Sequence, residues 1–317
     1  MDFYRDYFTR EQLLLSLANT PYTPGLLGRL GLFQTLNLTG TTLAIEALPA
    51  NDVAEAAAIP RGAPPKPLTL EKRRVETFTT GTYAWQGAVY ADEVLNLRAA
   101  GTSGAAEVFS QRRDEVTAKL RRQADFQHEY LRMACLNNPT NVFGSAPAAA
   151  VVAFGATDSA MRTALHNHIV LPLESALQGI PYSGIDAFCS DAYWVALIES
   201  QTIKDTYLNT AAAAELRNAP ADSFSYGGIT WHRYRAGGTI AITAGTAKVV
   251  PRGVSGLFVQ AFAPNDTLSS VGQGAMGMPY YLDSYPIDDD KGFRITLQTH
   301  PAMLCTRPAA ILTVDLS

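Results

Sequence analysis

The stretch AAEVFSQRRDEVTAKLRRQADFQHEYLRMACLN, residues 105–137, decides the fold. It follows a break at Gly101–Gly104 and is ended by Pro139, so we predict one continuous helix. At a rise of about 1.5 Å per residue this helix is about 48 Å long. Its apolar stripe is thin and consists of Phe109, Val116, Leu120, Leu131 and Cys135. So narrow a stripe is typical of a helix that lies across the outside of a sheet or along a subunit edge.

The segment before this helix alternates between apolar and polar residues and predicts two strands. They are LTLEKRRVETFTT, residues 68–80, and TYAWQGAVYADEVLNL, residues 82–97. We predict that they pair as a long hairpin, with Gly81 and Gly87 as turn or bulge positions. A two-stranded hairpin is at best marginally stable alone in water, so it needs a partner surface.

Residues 1–66 do not have the pattern of a compact domain. We predict a short amphipathic helix over 9–19 and strand-like segments at 41–47 and near Val53. The prolines of IPRGAPPKP, residues 59–67, favour extended chain. Scattered leucines and phenylalanines without periodicity must be buried elsewhere. We therefore predict an arm that lies on other parts of the fold or on other subunits.

Downstream of the long helix the pattern is mixed. We predict a strand over 148–154, a helix over 157–179 with a kink at Pro172, and a helix over 205–218. ALIES, residues 196–200, ends a helix or a strand. Further predicted strands lie in FSYGGITWHRYRAG (224–237), KVVPRG (248–253) and GLFVQAFAP (256–264). Residues 293–316 predict two strands joined by a turn, with Pro308 at an edge or in the turn.

Composition excludes some classes of function. Lys and Arg number 25 against 29 Asp and Glu, a net charge of −4, which argues against DNA binding as the main role. Cys135, Cys189 and Cys305 are far apart and odd in number, so we expect buried free thiols in a reducing compartment. No stretch approaches the roughly 20 apolar residues of a membrane span, and the N-terminus lacks the pattern of a signal peptide. We expect a soluble protein.

Three motifs are candidates for chemistry. GQGAMG, residues 272–277, matches a dinucleotide fingerprint, but Pro279 stands where the helix should begin. His166 and His168 are two apart on a predicted helix, so they point to opposite faces and cannot chelate one ion. The run Asp288–Asp290 lacks the alternating ligands of a calcium loop and predicts a hairpin tip. We expect no catalytic residue, metal or cofactor, although a scattered active site is conceivable.

Three pairs of adjacent arginines stand out in the sequence: Arg73–Arg74, Arg112–Arg113 and Arg121–Arg122. The two pairs on the long helix have two interpretations. They form ion pairs within a solvated helix face, or they pair with neighbouring subunits, where the guanidinium favours bidentate contacts. The sequence does not choose between these. The predicted subunit-contact residues are Arg73, Arg74, Tyr83, Trp85, Arg112, Arg113, Arg121 and Arg122.

The order of arm, two-stranded loop, long helix and mixed body is similar to the Hong Kong 97 capsid fold of tailed phages. The C-terminal half resembles the lambda-type major capsid protein E family. The resemblance rests on FSYGGITWHRYRAG (224–237), VVPRGVSGLFVQAFAPND (249–266) and GFRITLQTHPAMLCTRPAAILTVDL (292–316). In these, Pro251, Gly253, Ala263, Pro264, Cys305, Arg307 and Pro308 occupy the places of the family's turns and corners.

The resemblance implies an α+β fold divided into an N-terminal arm (1–66), an extended loop (67–101), a peripheral domain with a spine helix (102–182), an axial domain (183–275) and return strands to the peripheral domain (276–317). It implies a non-enzymatic major capsid protein that self-assembles into hexamers and pentamers around double-stranded DNA. Expected partners are a scaffolding protein and a portal, with a decoration protein as a further candidate and no membrane. The expected location is the virion, after assembly in the host cytoplasm. The alternatives are an encapsulin-like nanocompartment shell and a soluble α/β enzyme.

Overall fold

The computed structural model of the chain describes residues 25–47, 74–93, 105–139, 147, 149–152, 158–200, 202–203, 223–235, 240–268, 275–287, 289 and 291–316. The predicted segments at 9–19, near Val53 and at 205–218 lie outside these residues. Five α-helices are described: α1 (Leu26–Leu30), α2 (Ala105–Asn137), α3 (Asp158–Leu165), α4 (Leu171–Leu177) and α5 (Asp191–Glu199).

Fourteen strands are described alongside these helices, so the fold is α+β, as predicted. The strands that precede α5 are β1 (Gln34–Asn37), β2 (Thr42–Ala47), β3 (Arg74–Thr79), β4 (Tyr83–Tyr90), β5 (Ala150–Val152) and β6 (Gly184–Cys189). Those that follow it are β7 (Ser223–Tyr226), β8 (Ile229–Arg233), β9 (Thr246–Arg252), β10 (Phe258–Phe262), β11 (Tyr281–Pro286), β12 (Gly292–Thr299), β13 (Pro301–Cys305) and β14 (Leu312–Leu316).

The long helix α2 has the predicted bounds and lies across a sheet, in agreement with its thin apolar stripe. The sheet is antiparallel, in the order β11-β12-β4. The first half of α2 packs on it through Phe109, Leu120 and Ala124, which join Leu282, Ile295 and Leu297 in one buried cluster. The second half of α2 places Met133, Cys135 and Leu136 in a different, larger cluster. One helix therefore connects two cores.

The predicted hairpin between residues 68–80 and 82–97 is wrong. β3 pairs antiparallel with β2, from Thr42 opposite Thr79 to Ala47 opposite Arg74. β4 instead pairs antiparallel with β12. Alternation shows which face of a strand is buried, but both segments alternate alike, so the pattern does not determine the partner strand. The chain passes from one sheet to the other at Gly81, whose N–H donates to the carbonyl of Pro301.

Gly87 is not the predicted bulge, because the ladder between β4 and β12 continues through it, opposite Ile295. Its role lies in the close approach of α2. A Cβ atom at position 87 would lie 2.4 Å from Cγ1 of Val116. The missing side chain lets the helix pack directly on the strand.

The largest sheet has six strands in the order β5-β14-β9-β6-β8-β7. The predicted strand pair around Gly227 and Gly228 is confirmed as β7 and β8, and the ALIES segment ends a helix, α5. The helical side of this core is formed by a stripe repeating every four residues. Its members are Met161, Leu165, Ile169, Leu173 and Leu177, all buried with the sheet residues Ile185, Ala187 and Phe188.

The predicted kink at Pro172 corresponds to a π turn, His166–Val170, between α3 and α4. Proline has no N–H to donate, and its ring clashes with the carbonyl four residues earlier in an α-helix. Just before it, the N–H of Leu171 reaches five residues back to the carbonyl of His166. The wider turn accommodates the proline without ending the helical segment.

The third sheet is three-stranded, in the order β1-β10-β13, with β1 parallel to β10. Together with β2 and β3 it buries Leu43, Val259, Ala261 and Leu304. Leu27 of α1 and Phe33 belong to the largest core. The described part of the predicted arm, residues 25–47, therefore packs on its own subunit.

The C-terminal segment contains three strands, not the two predicted. β12 and β13 follow one another directly, each in a different sheet, and a 3₁₀ turn, Pro308–Ala310, leads into β14. Pro308 lies in a turn, as predicted. β14 pairs with β9 and β5, so the end of the described chain joins the six-stranded sheet.

Cys135, Cys189 and Cys305 are free and buried, as predicted. Burial raises the pKa of the Cys305 thiol to about 12, and it also raises the pKa values of Cys135 and Cys189. Within the described residues, no helix is both long enough and apolar enough to cross a membrane.

Candidate functional site

The most unusual part of α2 is a buried polar segment between its two apolar halves. Asp125, His128, Glu129 and Arg132 are at most 5% exposed. Spacings of three and four residues place them along one side of the helix. Buried charges are costly unless they are paired and hydrogen-bonded, so each of these groups needs a partner. The partners come from distant parts of the chain.

Glu129 binds the start of α1. Its Oε1 accepts the N–H of Leu27 at 2.8 Å, and its Oε2 accepts the N–H of Gly28 at 3.1 Å. Oε1 also accepts the hydroxyl of Tyr234 at 3.2 Å. Burial and the neighbouring carboxylate raise the pKa of Tyr234, which keeps this phenol protonated as a donor. One carboxylate thus connects three segments of the chain.

Arg132 extends the connection to β1 and β10. Its Nη1 lies 3.4 Å from Oε2 of Glu129. Its Nε and Nη2 donate to Oε1 of Gln260 at 3.2 and 2.9 Å. The amide nitrogen of Gln260 in turn donates to the hydroxyl of Thr35 at 2.6 Å. The guanidinium is thereby fixed on two sides, which offsets the cost of burying it.

His128 and Asp125 face the antiparallel sheet under α2. Nε2 of His128 lies 2.8 Å from the hydroxyl of Thr299, and Tyr280 donates its hydroxyl to Oδ1 of Asp125. The His128 ring also packs beside the rings of Phe262 and Tyr280. Burial, assisted by the positive charge of Arg132, lowers the pKa of His128 to about 3. The imidazole is neutral at neutral pH and acts as a packed hydrogen-bonding group.

A second buried polar group lies in the six-stranded sheet. Asp186 of β6 is fully buried, with Oδ1 3.3 Å from Nε2 of His232 and 3.4 Å from Nη1 of Arg252. The three residues come from adjacent strands, β8, β6 and β9. Neither polar group is predicted from the sequence, because the members of each are distant in sequence and follow no motif spacing.

The four arginines predicted on α2 do not converge on one site. Arg112 pairs with Glu115 at 2.7 Å and Arg113 with Asp114 at 2.8 Å. Arg121 lies 4.0 Å from Asp125, with its guanidinium 5.2 Å from the ring centre of Tyr280. Ion pairs within the helix therefore account for three of the four. Arg122 is exposed and its Nε donates to the carbonyl of Ala118 at 3.4 Å.

The remaining predicted contact residues lie in β3 and β4 or outside the described chain. Arg73 is among the residues that the structure does not describe, and Arg74 begins β3. Tyr83 is half-buried in β4, opposite Thr299. Trp85 is half-buried and packs against the cluster between α2 and the antiparallel sheet. Its ring belongs in part to the subunit's own core.

The structure describes all or part of each of the three candidate motifs for chemistry. Gly277 packs so closely on the backbone of Phe262 that a Cβ atom would overlap its carbonyl. His166 and His168 are exposed in the π turn. Asp289 lies in the loop between β11 and β12, the predicted hairpin tip, and pairs with Lys291 at 3.0 Å. Among the described residues, no group of three or more His, Cys, Asp or Glu could hold a metal ion.

Several large apolar side chains are exposed. Phe126 and Tyr130, four residues apart on α2, are 43% and 38% exposed. Leu268 and Met276, which flank the segment after β10, are 92% and 62% exposed. Exposed aromatic and methionine side chains are enriched where proteins contact one another. The described surface therefore offers apolar contacts. The buried polar groups, in contrast, connect distant segments of the same subunit through hydrogen bonds and ion pairs.

Solved structures similar to this chain include capsid proteins of phages. The putative capsid protein of a prophage of E. coli CFT073 is similar over 97% of this chain and 99% of its own, at 13% identity and a TM-score of 0.58. The mature capsid of bacteriophage PhiM1 matches over 94% and 88%, at 12% identity and a TM-score of 0.52. The capsid of an empty GTA particle matches over 94% and 91%, at 13% identity and a TM-score of 0.55. These likenesses define the class as the phage capsid fold of Hong Kong 97 type.

The sequence match is more specific than the fold. Among curated proteins, none matches the chain. A family model described as phage major capsid protein E matches residues 9–316. The chain belongs to this family, in agreement with the resemblance of its C-terminal motifs. The match favours a phage capsid over the encapsulin-like compartment.

Proposed function

We propose that the protein forms the shell of a phage head by self-assembly into hexamers and pentamers that enclose double-stranded DNA. The family match over residues 9–316 carries this proposal. The family is one of structural proteins, and we infer a role without catalysis. The slightly acidic net charge of −4 suits a shell that faces DNA without binding it tightly.

The strand pairing supports a division of the subunit into an extended loop, a peripheral domain and an axial domain. We assign the extended loop to residues 41–80, in place of 67–101, because β2 and β3 form a separate two-stranded ladder. The α2 helix and the β11-β12-β4 sheet form the peripheral domain. The six-stranded sheet forms the axial domain, to which β5 and β14 contribute from outside the predicted range 183–275.

Side chains that remain exposed in the single subunit are the candidates for contacts between subunits. Of the predicted contact residues we retain Arg122, which is exposed, and Tyr83, which is half-buried at the edge of its sheet. Modest interfaces repeated around a ring and between rings build a stable shell by multivalency. Partners that we infer for the assembled head are a scaffolding protein, a portal and a decoration protein. We place assembly in the host cytoplasm.

A truncation tests this proposal. Deleting residues 1–24 removes the segment before α1 while leaving Leu27 and Phe33 in the core. We expect the melting temperature of the subunit to change by less than about 4 °C and the yield of shells in electron micrographs to fall at least tenfold. Deleting residues 1–47 is the contrasting variant, since it also removes β1 and β2 and should destabilise the subunit itself. Normal shells from the shorter deletion would contradict a contribution of residues 1–24 to the contacts between subunits.

A further inference from the structure

We propose that Glu129 is the positioning residue that fixes the position and direction of the backbone at Gly25, from which residues 1–24 continue. This inference rests on the proposed shell-forming function, because it concerns how the N-terminal arm is anchored on its own subunit. It concerns a buried carboxylate of the spine helix, a residue without any motif in the sequence.

The α1 helix cannot hold itself in place. It has five residues, and helices this short are unstable on their own because nucleation is costly. Its N-cap, Gly25, has no side chain to accept the free amides. The Glu129 carboxylate takes this role from 102 residues away, at the helix end where negative charge is favoured.

The same turn of α2 holds both ends of the root segment, which we define as residues 25–37. Glu129 binds its beginning at Leu27 and Gly28. Arg132 binds its end through Gln260 and Thr35. Since Arg132 also contacts Glu129, the two ends are connected through one ion pair. The root segment is thus clamped at two points on one helix face.

The backbone at Gly25 lies directly over the Glu129 side chain. A Cβ atom on Gly25 would lie 2.2 Å from Cδ and 2.4 Å from Cγ of Glu129. Residues 1–24 continue from this point toward the N-terminus. Because Gly25 lies against the side chain that holds α1, a shift of Glu129 changes the position and direction of the backbone from which they continue.

The test is the Glu129→Gln variant of the full-length protein. Glutamine has the same size, but its NH₂ group cannot accept a hydrogen bond, so only one of the two α1 amides keeps a partner. We expect hydrogen exchange to become at least tenfold faster at whichever of the Leu27 and Gly28 amides loses its acceptor. We also expect a broadened distance distribution between spin labels on Thr23→Cys and Lys119→Cys, and an at least fivefold loss of closed shells.

Two further variants separate positioning from general stability. Gly25→Ala should reproduce the effects of Glu129→Gln, and the double variant should be no worse than either alone, because both disturb one contact. Ile295→Val trims the other core, beneath the first half of α2, and should lower the melting temperature while leaving the label distances and the shells unchanged.

The outcomes are distinguishable from those for the proposed function. Unchanged exchange or unchanged label distances in Glu129→Gln would overturn the positioning role, whether or not shells form. Equal loss of shells in Glu129→Gln and Ile295→Val would also overturn it, since loss of stability would then explain both. A wild-type protein that forms no shells would refute the proposed function, while exchange and label distances still decide the role of Glu129.

Discussion

Trp85 lies directly opposite Leu297 in the ladder between β4 and β12. Leu297 is fully buried, and the half-buried ring of Trp85 packs against the same cluster, beneath the first half of α2. The sequence alone predicts that Trp85 contacts another subunit. Its position indicates that it stabilises its own subunit.

Replacing Trp85 by alanine should therefore destabilise the free subunit. A fully buried aromatic side chain costs about 3–5 kcal/mol when truncated, and for this half-buried ring we expect about 2 kcal/mol. Chemical denaturation of the unassembled protein measures the change. Tyr90→Ala, at the exposed end of the same strand, is the matched control and should cost less than about 0.5 kcal/mol. Equal stability of Trp85→Ala and wild type would return Trp85 to the role of a subunit contact.

Gly87→Ala tests the close packing of α2 on β4. The added methyl group overlaps Cγ1 of Val116, whose branched side chain has little rotamer freedom in a helix. We expect a loss of about 1–3 kcal/mol in the free energy of unfolding. Val116→Ala in the same chain should restore part of this loss, because it removes the overlapping atom. If the double variant loses more free energy of unfolding than the two single variants lose together, the contact between Gly87 and Val116 does not set the distance between helix and sheet.

The buried His128 makes stability depend on pH. Its pKa is about 3 in the folded protein and 6.5 in the unfolded chain, so between these values the unfolded chain binds the extra proton. Stability contributed by the neutral imidazole is fully present above pH 6.5 and declines as pH falls toward 3, by up to about 1.4 kcal/mol per pH unit.

His128→Gln removes this titration and should flatten the decline between about pH 6 and about pH 4, as measured by urea denaturation at each pH. The charged groups near His128, namely Asp125, Glu129 and Arg132, are present in both proteins, so they affect both pH profiles alike. An identical slope in wild type and His128→Gln would show that folding does not lower the pKa of His128.

Asp186 provides a prediction for the six-stranded sheet. Removing one partner of a buried charge pair leaves the other partners uncompensated. Because the side chain of Arg252 is 42% exposed, we expect Asp186→Ala to cost about 2 kcal/mol, less than a fully buried pair. The control is Asp191→Ala, which removes an exposed pair with Arg233 and should cost under about 1 kcal/mol. A smaller loss of stability in Asp186→Ala than in Asp191→Ala would show that the buried carboxylate does not hold the three strands together.

Local patterns in the sequence are enough to predict the main elements. The break at Gly101–Gly104 and Pro139 predict the length of α2, and its thin apolar stripe predicts a position across a sheet or along a subunit edge. Gly227 and Gly228 predict the turn between β7 and β8, and Pro172 predicts a disturbance that is a π turn. In each case the determining residues are neighbours in sequence, so their effect on the backbone is local.

Strand partners and the buried polar segment cannot be predicted from such patterns. Alternation in 68–80 and 82–97 is satisfied by any partner strand with an apolar face, and the true partners, β2 and β12, lie far away in sequence. Glu129 and His128 occupy positions of a charged helix that sequence alone assigns to solvent. Only the packing of α1 and Thr299 against them shows that they are buried.

Self-assembly is tested by sedimentation velocity of the purified full-length protein, with electron microscopy of the fast-sedimenting fraction. We predict rings or closed shells of uniform wall thickness, in equilibrium with or replacing the 34.1 kDa subunit. A single 34.1 kDa species that persists at high protein concentration, without larger particles under any assembly condition, would contradict a shell-forming role.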